Sequence, residues 1–148
     1  MDRSNPPLNA LYQELILQHY RQPKNRGTLE APDVEVAMHN PVCGDEITLQ
    51  LQVEGDTIRA ARFSGQGCAI SQASASMMAH LLEGKTLTEA DAAAARFTEM
   101  MHGSEEAARD RSLGDLRALA GVSRFPVRVK CALLAWNALQ EAEKRLPR

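Results

Sequence analysis

A stretch of strictly alternating residues in the middle of the chain restricts the folds that it can adopt. From residue 47 to residue 54 apolar and polar side chains take turns: Ile47, Thr48, Leu49, Gln50, Leu51, Gln52, Val53 and Glu54. A period of two predicts a strand with one buried face and one exposed face. Gly55 and Asp56 follow, a pair typical of a tight hairpin turn, and residues 57–63 return as a second strand. A similar alternation over residues 34–38 adds a third strand, so the sequence predicts an antiparallel meander.

Helical patterns flank this sheet. Residues 8–20 place apolar side chains three and four positions apart, which predicts a helix that Pro6 and Pro7 precede. Residues 64–67, Ser-Gly-Gln-Gly, are expected to end the third strand. The Ala-, Ser- and Met-rich residues 68–82 then predict a helix whose small side chains allow close approach to the sheet.

The second half of the chain reads as helical. Thr88 with Asp91 resembles the start of a helix, residues 103–111 are charged and expected to be exposed, and residues 113–119 predict a short helix. Pro126 suits the first turn of a long C-terminal helix. Its expected apolar stripe consists of Val127, Cys131, Leu134, Ala138 and Ala142. We therefore predict an α+β fold in which a three-stranded antiparallel sheet packs with helices, as a single domain over residues 1–148.

Charge and composition exclude some classes of function. The net charge of −2 argues against a nucleic-acid binder that acts through a general basic field. Residues 1–7 lack the apolar core of a secretory signal, and the apolar stretch at residues 133–136 is far below the roughly 20 residues that span a bilayer. We expect a cytoplasmic protein whose thiols stay reduced.

Three widely spaced cysteines are a poor disulfide framework but a common number of metal ligands. Cys43 lies in a turn between two predicted strands, two residues before Asp45. Cys68 opens a helix, where the helix dipole favours a thiolate. Cys131 lies near the start of the last helix, next to positive charges that lower the pKa of a thiol.

Three thiolates and the Asp45 carboxylate would complete a tetrahedral site that suits zinc. The alternative is that buried cysteines act as small apolar residues, a reading that fits Cys131 on its apolar stripe. The spacing of 25 and then 63 residues is by itself a weak motif. Near Cys131, Arg124, Arg128 and Lys130 form a basic cluster, which is either a solvated face or a guide for a persulfide or an acidic partner.

The histidines are expected to have structural roles. His19, on an apolar helix face, is expected to be a satisfied core or interface residue, and His80 and His102 are expected on helix surfaces. No Ser/His/Asp set or phosphate-binding loop is apparent.

Four motifs together resemble the IscU/SufU-type proteins of iron–sulfur cluster assembly, the NifU N-terminal-like family. They are His-Tyr-Arg-Gln-Pro-Lys-Asn-Arg-Gly at residues 19–27, Asn-Pro-Val-Cys-Gly-Asp at 40–45, Gly-Gln-Gly-Cys-Ala-Ile-Ser at 65–71 and Val-Lys-Cys-Ala-Leu-Leu-Ala-Trp at 129–136. The resemblance implies a SufE/IscU-like fold. It also implies four metal ligands: Cys43, Asp45, Cys68 and Cys131.

Two departures from the scaffold members of that family resemble its SufU branch. Lys130 stands where those scaffolds carry a histidine before the third cysteine, and the connection between the second and third cysteines is longer. The resemblance then implies a zinc-dependent sulfurtransferase that accepts persulfide sulfur on Cys43. The donor would be a SufS-type pyridoxal-phosphate cysteine desulfurase, and the sulfur would pass to a downstream iron–sulfur scaffold. Arg128 and Lys130 are candidate substrate- or partner-binding residues.

Two alternatives remain at this point. The same four ligands could assemble a [2Fe–2S] cluster, which would make the protein a scaffold or carrier. An adaptor with a purely structural zinc ion is the third possibility.

Overall fold

The structure, a computed structural model, describes residues 5–42 and 44–147, with side chains from Tyr12 onward. The elements follow the chain as α1 (Asn5–Arg21), β1 (Val34–Asn40), β2 (Asp45–Glu54), β3 (Thr57–Gln66), α2 (Ala69–Leu82), α3 (Leu87–Met101), α4 (Glu105–Ala108), a 3-10 segment (Arg111–Arg124) and α5 (Pro126–Arg145). The α+β class is confirmed. The N-terminal helix begins earlier than expected, so that Pro6 and Pro7 lie inside its first turn rather than before it.

The three strands form one antiparallel sheet in the order β1-β2-β3, as the alternation predicts. Ile47, Leu49 and Leu51 on β2 are fully buried, whereas the alternate residue Glu46 is exposed. Gly55 adopts a positive φ of 63° in the turn between β2 and β3, a conformation that glycine tolerates without strain. The expected hairpin at residues 55–56 is therefore confirmed.

The third strand is longer than the sequence suggests. It runs to Gln66, which pairs with Glu46, so the prediction that residues 64–67 end the strand was wrong. Gly65 remains in the ladder opposite Ile47 with a φ of 133°. A Cβ atom at this position would lie 2.0 Å from the Glu46 carbonyl oxygen, so here glycine permits close approach of two strands instead of ending one.

The buried helices α2 and α5 pack together beside the sheet. Ser74 Oγ on α2 donates to the Ala132 carbonyl of α5 over 2.7 Å, and both residues are fully buried. Trp136 of α5 stacks on Phe97 of α3 with ring centroids 5.2 Å apart. The small residues Ser74 and Ala132 allow α2 and α5 to approach closely, a helix–helix contact that was not predicted from the sequence.

The start of α3 also differs from the sequence prediction. Helix α3 begins after Thr86, whose side chain accepts from the Glu89 N–H over 3.1 Å while the Glu89 carboxylate accepts from the Thr86 N–H over 2.9 Å. This capping box, and not Thr88 with Asp91, defines the N-terminus. Within the charged residues 103–111, Ala107 on α4 is fully buried, so that stretch is not wholly exposed as expected.

The segment before α5 is a 3-10 helix that extends well past both ends of the expected residues 113–119. Gly114 interrupts it with a φ of 56°. Pro126 occupies the first turn of α5, as predicted. Four members of the expected stripe are buried, but Val127 is 55% exposed because the first turn of α5 extends beyond the packed core. Among the described helices, none is both long enough and apolar enough to span a bilayer.

Candidate metal centre

Asp45, Cys68 and Cys131 converge at one end of the sheet. One ligand atom from each residue lies within 4.8 Å of the others. Asp45 is the first residue of β2, Cys68 is the N-cap of α2, and Cys131 lies in the second turn of α5. The three elements are far apart in the sequence, so only the folded sheet and its two helices bring these side chains together.

The Asp45 carboxylate is fully buried and held by the backbone. Its Oδ1 accepts a hydrogen bond from the Cys68 N–H over 2.9 Å, and its Oδ2 lies 3.9 Å from Cys68 Sγ. Gly67 leaves the space that this carboxylate fills, because a Cβ at Gly67 would lie 2.3 Å from Asp45 Oδ1. One oxygen is therefore fixed by the protein, while the other faces the sulfur atoms.

Cys68 lies at the start of helix α2. As N-cap its Sγ accepts a contact of 3.5 Å from the Ser71 N–H, and Ser71 Oγ donates back to the Cys68 carbonyl over 3.1 Å. The helix dipole places partial positive charge at this end of α2. The expected position of Cys68 at a helix start is confirmed.

Cys131 is fully buried, with its Sγ 3.7 Å from the Val127 carbonyl oxygen one turn earlier. Arg128 approaches the same centre from the exposed side of α5. The negative charge of Cys68, and then that of Cys131, raises the pKa of the Arg128 guanidinium above its ordinary value. Arg128 is therefore the cation that faces both sulfurs, in agreement with the positive surroundings expected for Cys131.

The donor set fits zinc. In tetrahedral coordination, with Zn–S near 2.3 Å and Zn–O near 2.0 Å, neighbouring donors are roughly 3.5–3.8 Å apart. The 3.9 Å between Asp45 Oδ2 and Cys68 Sγ is close to this spacing, and 4.8 Å bounds the whole group. Two sulfurs and one carboxylate oxygen also form a mixed soft and hard set that zinc accepts.

The fourth expected ligand, Cys43, lies outside the described residues. Its neighbours are described: β1 ends at Asn40, which pairs with Asp45, and the Gly44 N–H donates to the Asn40 carbonyl over 2.8 Å. Lys130 is exposed next to Cys131 in sequence. The assignments of Cys43 as ligand and of Lys130 as a binding residue stay predictions.

Large apolar side chains are exposed in the segments that carry the candidate ligands. Val42, in the turn before Asp45, is 69% exposed, and Phe125 and Val127 at the start of α5 are 60% and 55% exposed. Sequence reasoning missed this feature because it assigned Val127 to a buried stripe. The residue that could have indicated this exposure is Pro126, because it starts the helix and therefore places its neighbours at a helix end.

A second cluster combines residues that the sequence did not suggest were close. His19 is buried, with Nδ1 2.7 Å from Ser76 Oγ and Nε2 2.9 Å from Asp115 Oδ2. The backbone N–H of Lys24 also donates to Ser76 Oγ over 2.7 Å. No Ser/His/Asp set is apparent in the sequence, and the fold brings these three residues together from distant positions. Ser76 is fully buried, so the set is structural, and the expected satisfied role of His19 is confirmed.

Comparison with known proteins agrees with this architecture. The family described as NifU-like N terminal domain matches residues 11–132. The zinc-dependent sulfurtransferase SufU of Bacillus subtilis (strain 168) is 45% identical over 139 residues, which cover 93% of this chain and 92% of that protein. The iron–sulfur cluster assembly scaffold protein IscU of Streptococcus pyogenes serotype M1 is also 45% identical, over 93% of this chain and 86% of its own.

A solved structure shows the same fold. The crystal structure of FiSufU from Fervidobacterium islandicum AW-1 is similar with a TM-score of 0.81 and 36% identity, over 90% of this chain and 97% of that one. The resemblance seen in the four sequence motifs is thereby confirmed over most of the chain. The protein belongs to the IscU/SufU family of iron–sulfur cluster assembly proteins, which shares the NifU-like N-terminal domain.

Proposed function

We propose that the protein is a zinc-dependent sulfurtransferase. It accepts sulfur on Cys43 from the persulfide of a pyridoxal-phosphate cysteine desulfurase of the SufS type, and passes it toward iron–sulfur cluster assembly. The observation that carries the proposal is the convergence of Asp45, Cys68 and Cys131 within 4.8 Å at an end of the fold with exposed apolar side chains. The name of the Bacillus subtilis relative, and Lys130 in place of a histidine, support sulfur transfer over cluster assembly.

Four residues would hold the metal: Cys43, Asp45, Cys68 and Cys131. Zinc, when bound, would keep the thiols ionised at neutral pH and tie β2, α2 and α5 together. Asp45 and Cys131 are fully buried and Cys68 is half-buried, which suits them as anchors. Cys43 is separated from Asp45 by a single glycine in the sequence, and it is the ligand that we propose as the sulfur acceptor.

The transfer step is a thiol–disulfide type exchange. The Cys43 thiolate attacks the outer sulfur of the partner's persulfide, so that a new sulfur–sulfur bond forms on Cys43. The sulfur–sulfur bond in the partner breaks at the same time, and the partner's cysteine leaves as a thiolate. No oxidant is required. Arg128, whose charge already interacts with Cys68 and Cys131, supplies positive charge for the anionic sulfurs that approach this centre.

The surface around the centre suits a protein partner. Val42, Phe125 and Val127 provide exposed apolar contacts, and Arg124, Arg128 and Lys130 are exposed cations on the same stretch of chain as Phe125 and Val127. A partner with an apolar patch bordered by carboxylates would complement this surface. We propose that this partner is the desulfurase, because it must bring its persulfide to Cys43.

The test is sulfur transfer from a desulfurase supplied with sulfur-labelled cysteine. The zinc-loaded wild type should gain label, and Cys43→Ala should lose it by at least about 100-fold, because its nucleophile is gone. His39→Ala is the matched control, since His39 is exposed on the preceding strand and should transfer normally. Undiminished labelling of Cys43→Ala would overturn the proposal.

Cluster assembly is the second candidate, because the equally identical Streptococcus pyogenes relative is named as a scaffold. The same donor set also suits iron. Anaerobic reconstitution with iron and sulfide separates the two functions. A stable visible spectrum, with transfer of the cluster to an apo-protein, would favour the scaffold. Loss of the cluster on desalting would favour sulfur transfer.

A further inference from the structure

A groove of about 880 Å³ opens beside the metal centre. Cys68 and Arg128 line it on the side of the centre, and α1, the end of α3, α4 and the 3-10 segment supply the rest of its wall. The groove therefore lies between the candidate ligand Cys68 and residues 103–124 of the connection from Cys68 to Cys131.

The wall of the groove is largely apolar. Tyr12, Ile16, Ile70, Met100 and Val122 contribute, and Phe125 stands exposed at the border with the metal centre. Among the described residues that line the groove, the charged side chains Glu105, Arg124 and Arg128 are all exposed. Small-molecule sites usually place a few polar groups inside the pocket to orient a ligand. The described wall also carries the polar side chains of Gln13, Ser104 and Ser123, but most of it is apolar and its charged side chains are exposed, which suits apolar side chains of a peptide segment.

The charges at the rim indicate the chemistry of that segment. Arg124 is the last residue of the 3-10 segment and Arg128 lies in the first turn of α5, four positions later in the sequence, whereas Glu105 belongs to α4. The chain as a whole has a net charge of −2, so this pair is a local positive feature and not part of a general basic field. A carboxylate on the bound segment would be attracted to the Arg124–Arg128 end.

We propose that this groove receives a segment of the protein partner that carries apolar side chains and a carboxylate next to Arg124 and Arg128. The inference rests on the proposed function, with the desulfurase as the partner. The segment would anchor the partner beside the metal centre without contacting the zinc ligands other than Cys68. The lengthened connection would then serve partner recognition rather than sulfur chemistry.

Gly121 offers a way to fill the groove without disturbing the fold. It lines the groove, is exposed, and an added Cβ would meet no atom within 4 Å. Gly121→Trp should therefore raise the concentration of this protein that gives half-maximal stimulation of the desulfurase by about tenfold or more. The maximal rate and the zinc content should stay those of the wild type. Ala95→Trp, on an exposed position of α3 outside the groove wall, is the matched control.

A charge variant tests the second half of the proposal. Arg124→Glu should raise the half-maximal concentration by a similar factor, and added salt should reduce the difference from the wild type. Arg111→Glu makes the same charge change at an exposed position outside the groove wall and should have little effect.

If Gly121→Trp stimulates the desulfurase like the wild type, the groove is not the docking site. If Gly121→Trp instead converts a wild-type dimer to a monomer, the occupant is a second copy and the proposal is wrong. A wild type that neither binds nor stimulates the desulfurase would overturn the proposed function as well.

Discussion

Two clusters in this protein contain chemically capable side chains, and they differ in how their polar groups are satisfied. In the His19 cluster, made of His19, Ser76 and Asp115, donors and acceptors match. Lys24 N–H donates to Ser76 Oγ, the Ser76 hydroxyl can donate to Nδ1, and Nε2–H then donates to Asp115. In the metal centre, Asp45, Cys68 and Cys131 converge with anionic groups that repel one another once ionised.

The contrast shows which cluster is available for chemistry. The His19 cluster looks like a catalytic triad but fills its hydrogen bonds internally, and its serine is fully buried. In the metal centre, Asp45 Oδ1 accepts from the Cys68 N–H, Cys68 Sγ accepts a contact from the Ser71 N–H, and the charge of Arg128 interacts with both sulfurs. Because its donors also repel one another once ionised, we expect its stability to depend on a bound cation more than that of the His19 cluster does.

Removal of zinc should give the largest effect. Binding at about 1,000 times the dissociation constant stabilises a protein by about 4 kcal/mol, so chelation should lower the Tm of the zinc-loaded protein by roughly 10 °C. Differential scanning calorimetry with and without a chelator measures this shift. His19→Gln provides the comparison. Its Tm should be lower than that of the wild type before chelation and should fall by the same amount on chelation. A Tm that is insensitive to the chelator would show that the metal centre does not need a cation.

Gly67→Ala should have the next largest effect, because its Cβ would lie 2.3 Å from Asp45 Oδ1 and 2.7 Å from Ser71 Oγ. The new Cβ would displace the Asp45 carboxylate from its hydrogen bond with the Cys68 N–H. Loss of such an orienting contact should weaken zinc binding by roughly 10–100-fold. Competition with a chromophoric chelator measures the affinity. Gly121→Ala, where an added Cβ meets nothing, should bind zinc like the wild type.

The fold was largely predictable because its signals are local. Alternation over residues 47–54 and the pair Gly55–Asp56 specify the hairpin, and Pro126 marks the start of α5. The errors arose where tertiary contacts override a local signal. Gly65 reads as a strand breaker, but it is the residue that allows β3 to continue beside Glu46.

The convergence of Asp45, Cys68 and Cys131 was predictable from the sequence, but the surroundings of these residues were not. The cysteines and Asp45 stand at element junctions in the sequence, and the motifs of the family add specificity. Nothing local indicates that Gly67 makes room for the Asp45 carboxylate, or that Asp115 would reach His19 across 96 residues of sequence. Such contacts depend on how helices cross the sheet, which periodicity does not encode.

Ser76→Ala tests the other side of the comparison. It would leave His19 Nδ1 and the Lys24 N–H without their buried partner, at a cost of about 1–3 kcal/mol. Denaturant unfolding should show this loss, whereas zinc affinity should not change. Ser74→Ala, also fully buried, removes one bond to the Ala132 carbonyl and should cost less. Weaker zinc binding in Ser76→Ala would mean that the two clusters are coupled.

The smallest effect is expected at Asp110, a carboxylate near the surface that belongs to neither cluster. It shows how access to solvent changes the contribution of a hydrogen-bonded polar group. Hydrogen bonds from Ser112 and from Arg96 hold the pKa of Asp110 at about 2, below its ordinary value of 3.8. Because the folded state favours the carboxylate, its stabilisation is complete above the ordinary pKa and is lost as the pH falls through about 2.

The Tm of Asp110→Asn should therefore lie slightly below that of the wild type, by the same amount throughout neutral and mildly acidic pH, and the gap should close between about pH 4 and pH 2. Loss of zinc in acid would lower both curves together and leave their difference unchanged, since Asp110 is not one of the residues of the metal centre. A gap that stays constant down to pH 2 would show that the hydrogen bonds to Asp110 do not depend on its charge. The contribution of Asp110 to stability would then come from hydrogen bonding and not from its charge.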